Sequence, residues 1–161
     1  MHLPPARLLK LIRWSCALAV VAGAAAPAGA AGEPSDEVAT VQSLIDELRV
    51  RMSIAAPVTA SMVPHNPLLV SVEAAPGGGE AFQLAFEDGF LSTLNDDELR
   101  AVVAHELGHV WIFTHHPYLQ TERLANDVAM RIVSRETLEK VYGKVWARGG
   151  LKGDLSKFLG Q

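Results

Sequence analysis

Cysteine is nearly missing from this chain: Cys16 is the single one in 161 residues. One cysteine excludes an internal disulfide and any cysteine-built metal cage. There is no basic excess either; the formal net charge is −4, which argues against nucleic acid as a partner. Long apolar runs are scarce. The most apolar stretch follows Arg7, Lys10 and Arg13, but it is mostly Ala and Gly, with Leu18, Val20 and Val21 its strongest members. That is weak for a spanning helix. A basic front, an apolar middle and the small-residue run Ala28-Gly29-Ala30 fit a secretory signal peptide over residues 1–30. The alternative is a retained anchor. Cys16 is a poor lipoprotein site, because Arg13-Trp14-Ser15 precede it. Cleavage near Ala30 removes the only cysteine and moves the net charge to −7. The expected location is across the inner membrane, in the periplasm or outside the cell, with no stable membrane span in the mature chain. Internal repeats and low-complexity tracts are absent after residue 30.

What is present is concentrated in five residues, His105-Glu106-Leu107-Gly108-His109. On a helix, two His four apart differ by about 40° in azimuth and ~6 Å along the axis. Both imidazoles can therefore reach one metal ion. Glu106 lies beside that axis, where it can accept a proton from an attacking water. The spacing predicts a helix here. Asn95 can cap it, Glu98 occupies the capping-box position, and Asp96 and Asp97 favour the positive helix end. Leu99, Val102, Val103, Leu107 and Val110 supply an apolar stripe. The competing reading is an ordinary amphipathic helix with solvated His and Glu.

Around this helix the pattern is mixed. Residues 31–34 read as a spacer before one domain reaching residue 161, with an uncertain tail over 151–161. Ser35 can cap a first helix carrying Val38, Val41, Ile45, Leu48 and Met52 on one face, ended by Pro57. Residues 58–63 and 68–74 read as strands. Residues 76–79 form a Pro-Gly loop. Residues 81–87 alternate, with Phe82, Leu84 and Phe86 on one side, as in a half-buried strand. Beyond Pro117, Leu124, Val128 and Ile132 mark a further helix. Leu138, Val141 and Val145 mark another, stopped by Gly149-Gly150.

A catalytic zinc site usually takes three protein ligands and leaves one position open. His115, His116 and Glu122 are the candidates for the third. For His115 a glycine should turn the chain, yet Ile112 stands at that point. A continuing helix would carry His115 about 240° round and ~9 Å along. If instead the chain reverses at His115-His116, an antiparallel hairpin sets His109 opposite Glu122 and His105 opposite Asn126. Helices ~8–10 Å apart can place the Glu122 carboxylate on the shared ion. Asn126, one turn further, can then fix the tautomer of a ligand histidine.

Together these residues resemble a known family. The run 94–99 leading into His105-Glu106-Leu107-Gly108-His109-Val110, then Glu122-Arg123-Leu124-Ala125-Asn126, is similar to the prenyl-protease and HtpX-like gluzincin metallopeptidases. The resemblance spans roughly residues 58–133. It implies an α+β fold, mainly helical and zincin-like, with a small sheet packed on the motif helix. It implies one Zn2+ per chain held by His105, His109 and Glu122, with Glu106 as general base of a zinc endopeptidase. Peptides or unfolded proteins are the implied substrates. Two departures stand out: the family's Asp is Asn126 here, and only twelve residues link His109 to Glu122. A substrate strand pairing with residues 81–87, through Phe82, Leu84 and Phe86, is a further expectation. A transition-state stabiliser is to be sought among His115, His116, Tyr118, Arg131, Arg135 and Tyr142. The rival to catalysis is a zinc-stabilised binding or chaperone module of the cell envelope. Oligomeric state is open.

Overall fold

A computed structural model describes residues 35–75, 80–150 and 153–160. The expected signal segment, the spacer and the Pro-Gly loop lie outside the described residues. Ser35 accepts a hydrogen bond from the Val38 N–H and starts α1, Asp36–Arg51. Val41, Ile45 and Leu48 recur along one face and are fully buried. The helix stops earlier than Pro57. Met52 caps it, and Ser53 takes a left-handed backbone, φ 57°. Pro57 instead leads into the sheet, its carbonyl accepting from the Phe82 N–H.

Three strands follow: β1 Val58–Val63, β2 Val70–Ala74 and β3 Phe82–Glu87. Their order is β1-β3-β2. β3 runs parallel to β1, with Ala60 opposite Leu84, and antiparallel to β2, with Val72 opposite Leu84. The period-2 pattern of β3 therefore aims Phe82, Leu84 and Phe86 into the core, where all three are buried. The outer edge of β1 is partly occupied by Gln42 of α1, which donates to the Val58 carbonyl and accepts from the Ala60 N–H.

A four-residue helix, α2 Asp88–Leu91, turns the chain into α3, Asp96–His115. The α3 start is as its sequence predicts. Asn95 accepts from the Glu98 N–H at 3.0 Å, and Glu98 returns the bond to the Asn95 N–H at 2.9 Å. Ala101, Val103, Ala104, Leu107, Val110 and Ile112 make α3 the buried axis of the molecule. After a short 3-10 turn, Pro117–Leu119, come α4 Glu122–Ala129, α5 Arg135–Gly149 and α6 Leu155–Leu159. The fourth helix begins at Glu122 with Thr121 as its cap, not at Pro117. Gly150 ends α5 in the left-handed region, φ 63°, a conformation open to glycine at little cost. The chain is thus α+β, mostly helical, with its small sheet against α3.

Candidate metal centre

α3 and α4 form the antiparallel hairpin that the spacing suggests. Gly108 is why they come so close. A Cβ built there would lie 2.5 Å from the Ala125 carbonyl oxygen, so only glycine admits α4 at this height. The close crossing brings the Glu122 carboxylate over the two imidazoles. His105 Nε2 is 3.3 Å from Glu122 Oε2, and His109 Nε2 is 3.5 Å from Oε1. One donor atom from each of the three residues lies within 4.8 Å of the other two. Glu106 is half-buried and close enough to feel the charges of His105, His109 and Glu122.

The electrostatics favour a cation in this triangle. Burial opposes charge on His109, but the Glu122 and Glu106 carboxylates outweigh it and hold the imidazole up at about 9. Burial also opposes charge on Glu122, yet the two histidines hold it well below the ordinary carboxylate range. For Glu106, burial lifts the carboxyl, and the imidazoles only partly counter it. Two imidazoles facing two carboxylates form a site that a proton or a metal ion can neutralise.

Both tautomers follow from the hydrogen-bond partners. Asn126 is fully buried. Its Nδ2 donates to the Phe158 carbonyl at 2.9 Å and to the Tyr142 hydroxyl at 2.8 Å. A carbonyl can only accept, so the amide nitrogen must face Phe158 and Oδ1 must face His105. His105 Nδ1, 2.8 Å from that oxygen, therefore carries a proton, which makes Nε2 the nitrogen that can turn a lone pair to a metal in the triangle. Gln120 acts likewise on His109. Its Nε2 donates to the His109 carbonyl at 3.2 Å, leaving Oε1 to accept from Nδ1 at 3.2 Å. Two Nε2 atoms and a carboxylate, each imidazole held from behind at Nδ1, match the donor set of a three-ligand zinc site once a metal displaces the Nε2 protons.

Gln120 was not visible as a site residue in the sequence; no motif marks it, and only the turn over 116–121 brings it back to His109. The other candidates are dispersed. The His115 ring stacks on Trp111 at 4.4 Å, and Arg131 lies over the same indole. His116 meets its edge. Tyr118 is 98% exposed. Arg135 binds the C-terminal backbone. Of the six residues considered for transition-state work, Tyr142 contacts the triangle: its ring stands edge-on to His105 at 6.2 Å. Burial raises its hydroxyl well above the ordinary tyrosine range, with the Glu122 and Glu106 charges adding to the rise, and that hydroxyl accepts from Asn126. The sheet corrects the expectation for residues 81–87. β3 is paired on both sides, and Phe82, Leu84 and Phe86 are core residues, so no peptide can add to that strand.

With this geometry in place, the comparison with family models decides the class: the model described as "Peptidase family M48" matches residues 49–153. The chain belongs to peptidase family M48. The matched segment of this M48 chain contains α3, α4 and every residue of the triangle. No curated protein matches the sequence. Among solved structures, the metallopeptidase zymogen of Pyrococcus abyssi abylysin is similar in fold, with a TM-score of 0.51 and 14% identity. The similarity covers 71% of this chain and 99% of that one. As an M48 member the chain is a metalloprotease, a hydrolase of peptide bonds.

Proposed function

We propose that this M48 chain is a zinc endopeptidase in which His105, His109 and Glu122 hold the metal and Glu106 is the general base. The observation that carries this reading is the convergence of His105 Nε2, His109 Nε2 and a Glu122 oxygen within 4.8 Å, with Glu106 beside them. When bound, zinc supplies Lewis acidity, polarising the scissile carbonyl and making water acidic near neutral pH. Glu106 accepts a proton from the attacking water and returns it to the departing amine. Asn126 and Gln120 hold the two imidazoles in the tautomer the metal requires.

The substrate strand belongs at the edge of β2. β3 is central, and the outer edge of β1 is met by Gln42, whereas β2 packs against α3 and pairs only with β3 among the described residues. An extended peptide can add there through main-chain hydrogen bonds. Peptides or unfolded proteins are the expected substrates, and residues 1–30 are assigned the role of an export signal. Among the described residues no helix is long and apolar enough to cross a membrane.

Glu106→Gln tests the reading directly. Zinc content should remain at one per chain, while kcat/KM on an unfolded protein falls at least ~100-fold, the scale of lost general-base catalysis. Equal cleavage by the Gln variant would reject Glu106 as the base. Full zinc with no Glu106-dependent cleavage of any substrate would favour the zinc-stabilised binding module instead.

A further inference from the structure

The residue beneath the metal triangle is a buried amide, and the C-terminal segment gives it a partner. Residues 153–160 are anchored onto α4 and α5 at several points. Gly153 sits on the Trp146 indole so closely that a Cβ would fall 2.0 Å from the ring. The Phe158 ring packs against Tyr142 and Trp146, with centroids 5.2 and 5.9 Å away. Leu159 is buried, and Arg135 donates to the Leu159 and Gly160 carbonyls at 3.0 and 2.8 Å. This strap ends with the Phe158 carbonyl aimed at Asn126.

Asn126 uses both of its amide hydrogens there. One N–H goes to the strap and one to Tyr142, and Oδ1 accepts from the His105 Nδ1–H. The orientation of one metal-facing imidazole, His105, is thus set through one buried amide. A carboxylate at 126 has no hydrogen to give. It would set an anionic oxygen against the Phe158 carbonyl.

We infer that Asn126 is a positioning residue whose orientation is set by the C-terminal strap, so that docking of residues 153–160 onto α4 and α5 holds His105 ready for the metal. This rests on the metal-binding role proposed above for the triangle. Asn at this position is then not a weakened Asp but the residue the strap requires.

The test is a coupling cycle in the full chain: Asn126→Asp, Gly153→Ala to unseat the strap from Trp146, and both together. Two quantities are read, the zinc dissociation constant by chelator competition and the 15N shifts of His105 in the metal-free chain. In the native background, Asn126→Asp should weaken zinc ~10–100-fold, the range for altered partners of ligand histidines, and the His105 15N shifts should move from their native values. With the strap unseated, the same change should cost less than about threefold. A chain ending at residue 152 provides the second background, with its melting temperature checked. An equal loss in both backgrounds, or tighter zinc in the Asn126→Asp chain while the strap stays docked, would overturn the inference. Failure of native zinc binding would strike the proposed function instead, and the 15N readout on the metal-free chain would still judge the strap.

Discussion

Each imidazole of the triangle is held by a second side chain, and the identities of those partners decide what the imidazoles can do. Gln120 is the clearest case. It binds the backbone and the ring of the same residue, His109, so it fixes both the tautomer and the rotation of that ring. Gln120→Ala should weaken zinc by ~10-fold or more. The melting temperature of the metal-free chain should hardly change, because Gln120 is only half-buried. Chelator competition and a thermal melt of the same sample check the two halves. The sequence disclosed the residues with fixed helical spacing, His105, Glu106 and His109, and those set by a hairpin, Glu122 and Asn126. It did not disclose Gln120 or the strap on Asn126, since those contacts depend on a turn and a tail without periodicity.

Among elements, α3 and β3 show opposite outcomes of reading a pattern. The α3 boundaries were legible because each signal has a local cause: the Asn95–Glu98 capping box, the acidic first turn and the apolar stripe. Alternation in β3 correctly gives the face that is buried, but it says nothing about which strands lie on either side. That depends on non-local pairing with β1 and β2, which places β3 in the centre. The α3–α4 crossing carries a prediction of its own. Gly108→Ala puts a methyl group 2.5 Å from backbone oxygen, which no rotamer change relieves. Unfolding free energy should fall by about 1–3 kcal/mol, the usual cost of overpacking, and zinc should be lost in parallel as Glu122 is pushed off the histidines. Denaturant unfolding with and without chelator separates the two effects. An unchanged midpoint would mean that α4 can slide without cost.

At the scale of the whole molecule, the described domain has no disulfide to draw on, so burial, buried ion pairs and the metal share the stabilisation. Zinc bound only by the folded chain adds RT ln(1 + [L]/Kd), about 4 kcal/mol at a thousandfold excess over Kd. Chelation should therefore lower the melting temperature, and restored zinc should recover it. Two acid–base pairs tie α5 to the rest. Lys144 donates to the buried Glu98 carboxylate at 2.6 Å and to the Thr93 carbonyl. Arg148 bridges Glu87 and the Gly89 carbonyl.

These two carboxylates, with Glu122 in the metal-free chain, contribute to the acid limit of the fold. For Glu98, burial raises the carboxyl, but the Lys144 ammonium and the Asn95 N–H more than offset it, and it stays below the ordinary value of 4.5. For Glu87 the Asn66 N–H lowers it first, burial opposes, and Arg148 adds to the lowering. A folded value below the unfolded one means that stability is fully present above about pH 4.5. It is lost as pH falls through the depressed folded value, when the native state must take up protons it holds less readily than the unfolded chain. The metal-free chain is the sample to use, since zinc loss in acid would otherwise dominate. Its unfolding free energy should be flat on the acid side of neutrality down to about pH 5 on account of these groups, then decline. Glu98→Gln should lower the plateau and make the decline shallower, because one titrating group is removed. If denaturant curves from pH 3 to 6 show the same slope in both chains, Glu98 is not among the groups that set the acid limit.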